Sequence, residues 1–357
     1  MSDHSKFFAC IMAGGSGERF WPMSRARRPK HLLKLFSERT LLEETVARIG
    51  AIVPRENIFV LTNEVQLAAT RAALEGRVPA EQIVAEPAKR DTAPAAALAT
   101  ALVRARAGED ATLALLPADA FISDHATFRE QLEAAIIDAS TTDSIITFGV
   151  KPTYPATAFG YLEVGPEAGR HAGKFHIRKV TRFVEKPDLT TAERYVADAI
   201  YLWNAGIFVW SVRAFLGEAE RSTPELAKFI REFPAADASA FLAERFPTLP
   251  KISVDYAIME KARSVMTMMA KFDWDDVGLW TALPKHLAKD ADGNAARGTV
   301  VTTRAANNIA VSNGRTIALV GVNDLVVVET ADAVLVCHRD AVQEIKKITE
   351  KLPKELL

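Results

Sequence analysis

Two cysteines in 357 residues, and no CxxC pair, leave this chain without the material for a disulfide framework or a structural zinc site. Cys10 and Cys337 both fall in apolar, strand-like runs and read as buried free thiols. Long apolar runs are missing too. The opening "MSDHSKFFACIM" holds too short an apolar segment for a signal peptide or a membrane span, so the expectation is a soluble, cytoplasmic protein. Nor is there an excess of either charge. Lys and Arg number 44 against 45 Asp and Glu, a net charge of −1. No global field then favours nucleic acid or a membrane surface, and neither is expected as a partner. Any anion must be held locally. The remaining composition, 49% hydrophobic and 25% charged, is that of a globular protein with room for one large domain or a large and a small one.

Two common phosphate motifs are also absent. What stands in their place is "MAGGSGERFWPMSRARRPKHLL", from Met12 to Leu33. It follows an apolar strand and combines Gly14, Gly15 and Gly17 with Arg19, Arg25, Arg27, Arg28 and Lys30. Glycines let backbone N–H groups turn toward an oxyanion. Clustered cations repel one another unless an anion arrives. The stretch lacks the Gly-Lys-Ser/Thr ending of a Walker A loop. It has Phe20 where a dinucleotide fingerprint needs its third glycine, and Asn63 where that fold wants an acidic residue after the second strand. A standard NTPase and an NAD-dependent oxidoreductase are therefore excluded. Arg19 and Lys30 are the candidate phosphate ligands, the first bidentate and the second a mobile point charge. Arg25, Arg27 and Arg28 read as solvated surface charges.

Short apolar runs alternate with helical patterns over the first 150 residues. Phe7–Ala13, "NIFVLT", "QIVAE", "TLALLPAD" and "SIITFGV" read as strands. "TLLEETVARIG", Glu64–Leu74, "TAPAAALATALVRARAG" and Thr127–Ala139 read as helices, the first with Thr40 and Glu43 at capping-box spacing. This alternation predicts an α/β fold with a parallel sheet flanked by helices, and ligands at the carboxyl ends of its strands. From Tyr154 the pattern loosens into an added, mixed portion with strands in "FGYLEVG", "KVTRFVEKP" and "YLWNAGIFVWSV". Helices are expected at Arg213–Glu220, Pro224–Glu232 and Val254–Arg263. "KDADGNAARG" reads as a linker. Valine-rich short strands beyond it suggest a small all-β module, β-helix-like, closed by a helix at Val342–Leu352. The division is a catalytic domain at 1–288 and a β module at 289–357.

At this point "GGSGERFWPMSRARRPKHLL" resembles the signature of sugar-nucleotide pyrophosphorylases, in the form carried by mannose-1-phosphate guanylyltransferases. "AEPAKRDTAPA", "LPADAFI", "FGYLEVG", "FVEKP", "WNAGIFVW", "SVDYAIMEK" and "WDDVGLW" follow in the family's order across almost the whole first 280 residues. "GVNDLVVVETADAVLVC" is similar to the family's C-terminal β portion. The sequence departs from the family pattern at His31, Asp91 and Ala120, where glutamine, asparagine and histidine are usual. Bifunctional relatives carry a further isomerase domain of cupin type. The chain ends too early to hold one, so a single activity is expected.

The resemblance implies a Rossmann-like, mainly parallel sheet of nucleotidyltransferase type. It also implies transfer of GMP from GTP to α-D-mannose 1-phosphate, giving GDP-mannose and pyrophosphate. The attacking phosphate oxygen is already ionised at neutral pH, so no general base is needed, and no Ser-His-Asp or Cys-His set is evident. The need is alignment and charge neutralisation. Two unit charges about 4 Å apart repel by roughly 4 kcal/mol at an effective dielectric of 20. Carried over residue by residue, Arg19 and Lys30 would hold the leaving pyrophosphate, and Lys186 would approach the mannose phosphate and the α-phosphate. Asp119 and Asp276 would hold Mg²⁺ or another divalent cation, Asp273 and Asp275 being neighbours easily mistaken for the ligand. Ala13, Gly14, Gly15, Ser16, Gly17, Glu86, Pro87, Asp91 and Thr92 would line the nucleotide site. Glu86 there could accept from the N1–H and N2–H₂ of guanine. Gly160, Glu185 and Asn204 would meet the sugar. A uridylyl- or thymidylyltransferase acting on glucose 1-phosphate is the second reading, and a non-catalytic regulatory relative the third. "WPMSR" and "RDTAPA" favour the guanylyl branch, and the presence of Arg19, Lys30, Asp119 and Asp276 speaks against loss of catalysis. The β module's strand edges offer a surface that a second copy could cover.

Overall fold

A computed structural model describes residues 6–15 and 17–357, with backbone alone for 166–171. In chain order the first elements are β1 (Phe7–Met12), α1 (Leu41–Ile49), β2 (Ile58–Asn63), α2 (Leu67–Ala73), β3 (Ile83–Glu86), α3 (Thr92–Ala107), β4 (Thr112–Pro117), α4 (His125–Thr141) and β5 (Ile145–Val150). There follow β6 (Gly160–Ala172), β7 (Phe175–Glu185), α5 (Leu189–Ala197), β8 (Tyr201–Ser211), α6 (Val212–Ser222), α7 (Pro224–Glu232), α8 (Ser239–Arg245) and β9 (Val265–Met269). One nine-stranded sheet results, in the order β3-β2-β1-β4-β8-β5-β9-β7-β6.

The unbroken apolar runs of β1, β2 and β4 suit strands covered on both faces. Their side chains alternate between two cores. Phe8 and Cys10 join Leu113, Leu115 and the alanines of α3 on one face; Ala9 and Ile11 join Ala114, Leu116 and α4 on the other. β3, β2, β1 and β4 pair in parallel, so their carboxyl ends share one rim of the sheet. The capping box at Thr40 and Glu43 is present, with both reciprocal hydrogen bonds, at 3.1 and 2.8 Å.

Several local expectations are corrected. The strands after Tyr154 are not an added portion. β8 sits in the middle of the sheet, antiparallel to both β4 and β5. The helix expected at Glu64–Leu74 begins only at Leu67, because Asn63 turns the chain by accepting the Gln66 N–H through both its side chain and its carbonyl. Val254–Arg263 holds a single wide π-type turn, Asp255–Met259. Bonds to α3 shape that segment: Val254 N–H donates to the Thr92 hydroxyl (2.8 Å) and Ala93 N–H to the Ile252 carbonyl (3.1 Å).

The C-terminal strands are β10 (Ala295–Arg297), β11 (Val300–Thr303), β12 (Ile309–Val311), β13 (Ile317–Val320), β14 (Leu325–Glu329) and β15 (Val334–His338). β10, β12 and β14 stack in parallel, β11 stacks on β13, and β15 turns back along β14. Buried asparagines mark successive corners, Asn308 Nδ2 donating to Asn294 Oδ1 at 2.9 Å. Cys337 lies on the edge strand and is only half-buried, unlike Cys10; both thiols are free. The expected closing helix is divided into a 3₁₀ segment, Arg339–Glu344, and a short α9, Ile345–Thr349. Val342 and Ile345, three residues apart, both enter the core, a spacing that suits the tighter turn. No helix among the described residues is long and apolar enough to cross a membrane.

Candidate active site

The glycine loop leaves β1 at the shared rim and is strapped to β2. Ala13 N–H donates to the Leu61 carbonyl (2.7 Å), and the Thr62 hydroxyl donates to the Ala13 carbonyl (3.0 Å). The Asn63 and Gln66 amides reach the Gly14 and Gly15 carbonyls, each at 3.4 Å. Gly14 and Gly15 are exposed, with open space where a Cβ would stand. Gly17 has φ +63°, and a Cβ there would lie 2.7 Å from the Lys30 nitrogen. Only glycine lets the loop close on Lys30. Ser16 lies outside the described residues. Arg19 is exposed, its guanidinium 3.5 Å from the Gly278 carbonyl.

Lys30 is buried, and its ammonium is paired with protein oxygens. It donates to Asp119 Oδ2 at 2.9 Å and to the Asp276 carbonyl. Asp119 follows β4, and Asp276 lies on the segment after β9. A two-way bridge joins these segments: Phe121 N–H donates to the Asp275 carbonyl (2.8 Å), and Asp275 N–H to the Phe121 carbonyl (3.0 Å). Burial pushes the Asp119 carboxyl up, but the Lys30 ammonium and its hydrogen bond hold it below the ordinary range. Burial, with the charges of Asp275 and Asp119, puts Asp276 above that range against the pull of Lys30. The two neighbours are otherwise engaged. Asp273 accepts from Ser123 N–H, Ser123 Oγ and Asp124 N–H. Asp275 accepts from Val277 N–H, Lys285 and His286. The donor set of Asp119 and Asp276, two carboxylates on separate segments, fits a hard divalent cation such as Mg²⁺. Among the described residues no three of His, Cys, Asp and Glu gather as a metal cluster. An ion here would complete its shell with phosphate oxygens and water.

On the far side, Lys186 follows β7 with φ 48°, its N–H donating to the Phe159 carbonyl at 3.2 Å. Its ammonium donates to Glu185 Oε1 at 2.7 Å. Burial lowers the Lys186 pKa, but the Glu185 hydrogen bond and charge outweigh it and leave the ammonium above its ordinary value. A Cβ on Gly160 would lie 2.6 Å from Glu185 Oε2, so the glycine makes room for that carboxylate. Asn204 Oδ1 accepts from Thr147 Oγ1 (2.9 Å) and Gly206 N–H (3.2 Å), which aims its amide nitrogen at Asp255 Oδ1 (3.5 Å). Asp255 is pushed up to about 7, by burial first and the Glu185 charge second, and it also feels Asp91. Asp91 has φ 70° and caps α3, its carboxylate accepting from Thr92 N–H at 2.7 Å. Glu86, ending β3 beside half-buried Pro87, is pushed up to about 7 by burial. Between Arg19, Tyr154, Thr157, Phe159, Asp276 and Lys285 lies a cavity of 440 Å³.

Residues 8–293 match the family described as nucleotidyl transferase, and residues 298–352 match the MannoseP isomerase/GMP-like beta-helix domain. The chain belongs to the nucleotidyl transferase family. It is 34% identical to the mannose-1-phosphate guanylyltransferase of Escherichia coli K12, over 98% of this chain and 74% of that one. It is 37% identical to the xanthan biosynthesis protein XanB of Xanthomonas campestris pv. campestris, over 96% of this chain and 72% of the other. A crystal structure from Thermus thermophilus, described as a mannose-1-phosphate geranyltransferase, superposes with a TM-score of 0.87 at 33% identity. That match covers 97% of this chain and 99% of the other.

In this nucleotidyltransferase the loop, the paired carboxylates and the Glu185–Lys186 corner all open on one rim. The chain of contacts runs from Arg19 past Gly278 and Asp276, through Phe159 to Lys186, then to Asp255 and Asp91. Asp255 was not singled out from the sequence. Its signal was there, an acidic residue inside "SVDYAIMEK", but only the fold brings it to Asn204. The strap by Thr62, Asn63 and Gln66 was equally hidden, since it depends on β2 lying beside β1.

Proposed function

We propose that this nucleotidyltransferase transfers GMP from GTP to α-D-mannose 1-phosphate, releasing pyrophosphate. The single observation that carries the reading is the grouping of Arg19, Lys30, Asp119 and Asp276 around the glycine loop. The names of the relatives support the substrate pair. The exposed backbone of Gly14 and Gly15 receives the nucleotide near Glu86 and Asp91. Arg19 steadies the β- and γ-phosphates. Lys30 leaves Asp119 and joins it there when the triphosphate and its cation arrive. Lys186, poised by Glu185, draws the sugar phosphate toward the α-phosphorus for in-line attack. Glu185, Asn204 and the backbone at Gly160 read sugar hydroxyls. Asp119 and Asp276 would hold Mg²⁺, which when bound neutralises phosphate charge. We assign catalysis to residues 1–288 and place the β-helix module at 289–357.

The test is a panel of GTP, UTP, dTTP and ATP against mannose and glucose 1-phosphates, scored by pyrophosphate release with and without Mg²⁺. Release with GTP and mannose 1-phosphate, abolished by chelator, is expected. Preference for UTP or dTTP with glucose 1-phosphate would overturn the reading.

A further inference from the structure

We propose that His286 is a positioning residue that holds the two cation-binding carboxylates in register by clamping Asp275. The inference rests on the assignment of Asp119 and Asp276 to a divalent cation. Asp275 is buried, and its backbone forms both hydrogen bonds of the bridge to Phe121. Phe121 stands two residues after Asp119, and Asp275 one before Asp276. The bridge therefore sets how far apart those two carboxylates stand. What fixes Asp275 fixes the pair.

Three donors converge on its carboxylate. Val277 N–H donates to Oδ1 at 2.8 Å; His286 Nε2 lies 3.0 Å from Oδ2 and Lys285 Nζ 3.3 Å from it. Lys285 is more than half exposed, whereas the His286 side chain is mostly buried. An exposed ammonium is a weak, mobile tether; the enclosed imidazole is the firm one. Its ring is itself held, with centroids 4.2 Å from Phe121 and 5.3 Å from Phe36. One side chain thus packs on one segment of the bridge and hydrogen-bonds the other. The segment after Asp119 has its own support, since buried Arg48 donates to the Ile122 carbonyl at 3.1 Å. The carboxylate of Asp275 depends on this clamp. Groups that orient the residues around an ion typically change its affinity by about 10–100-fold when removed.

Packing and hydrogen bonding can be separated at this position. His286→Phe keeps a ring against Phe36 and Phe121 and loses the donor; His286→Gln loses the ring and keeps a donor. The readout is Mn²⁺ affinity of the whole chain by electron paramagnetic resonance, for Mn²⁺ alone and with pyrophosphate, beside melting temperatures. Wild type should bind more tightly than Asp119→Asn. His286→Phe should weaken binding about tenfold or more, and His286→Gln should recover most of that loss. Asp275→Asn, which keeps the volume, should reproduce the loss and serves if His286→Phe folds poorly. If His286→Phe binds Mn²⁺ like wild type, or if His286→Gln is the weaker of the two, the positioning role is wrong while the cation assignment stands. If wild type and Asp119→Asn bind alike, the cation assignment fails and this inference falls with it.

Discussion

Lys30 and Lys186 carry the same charge in opposite settings. Lys30 is enclosed and already neutralised by Asp119, while the Lys186 side chain is 61% exposed and tied to its neighbour Glu185. Lys186 can therefore swing onto an incoming phosphate, although that takes its ammonium from Glu185, whose side chain is only 10% exposed. Its replacement by alanine should leave folding intact and lower turnover at least about a hundredfold, as removal of a transition-state donor does. Arg19→Ala should act alike, since its contact to the Gly278 carbonyl is long and its stabilising role in the free protein is slight. Pyrophosphate release by purified variants with wild-type melting temperatures measures both; near wild-type turnover would remove the residue from catalysis. At Gly17 the reason is conformational. Gly17→Ala places a Cβ against Lys30 at a positive φ, so the loop must shift. A raised KM for GTP, with little change in KM for mannose 1-phosphate, is the expected signature.

Among elements, the parallel half of the sheet was legible because its strands are short apolar runs separated by longer helix-forming stretches, such as the alanine-rich run of α3. So was the glycine loop, whose chemistry is local. The centre of the sheet was not. β8 pairs with β4 and β5 across long stretches of chain, and pairing of that kind leaves no mark in local periodicity. The same holds for candidate residues. Arg19, Asp119 and Asp276 announce themselves by neighbours in sequence, whereas Asp255 becomes visible only when the turn at Asp255–Met259 docks on the start of α3. The β-helix coils make a further element-scale point. Phe20, Trp21, Leu33 and Leu35, from around the cationic loop, share one core with Ile309, Val311, Val326 and Val328. Trp21 Nε1 donates to the Leu356 carbonyl at 2.9 Å, and Arg25, expected to be a solvated charge, pairs with Asp332 at 3.0 Å. Trp21→Phe keeps the ring and loses the donor. It should cost about 1 kcal/mol by denaturant titration, with activity retained at low denaturant. No change in stability would show that this contact is not formed in solution.

For the whole molecule, pH separates the buried carboxyls. Asp255 and Glu86 sit at about 7 in the folded protein, above their ordinary values, with burial as the leading cause. A carboxyl raised by folding contributes stability that is complete below its unfolded pKa and is lost as pH rises through the folded one. Asp119 is lowered, because the Lys30 charge and hydrogen bond outweigh the desolvation of this partly exposed carboxyl, so its contribution runs the other way and fades in acid. Stability of the free protein should therefore decline between about pH 4 and pH 7 on account of Asp255 and Glu86. Asp255→Asn should flatten that decline in melting scans; an unchanged slope would mean Asp255 titrates normally.

The hydrogen bond between Trp21 and Leu356 spans 335 positions of sequence. The residues flanking the glycine loop are therefore synthesised well before the coils that share their core. In a nascent chain the glycine loop should then gain its full bracing only after those coils have emerged and folded against it.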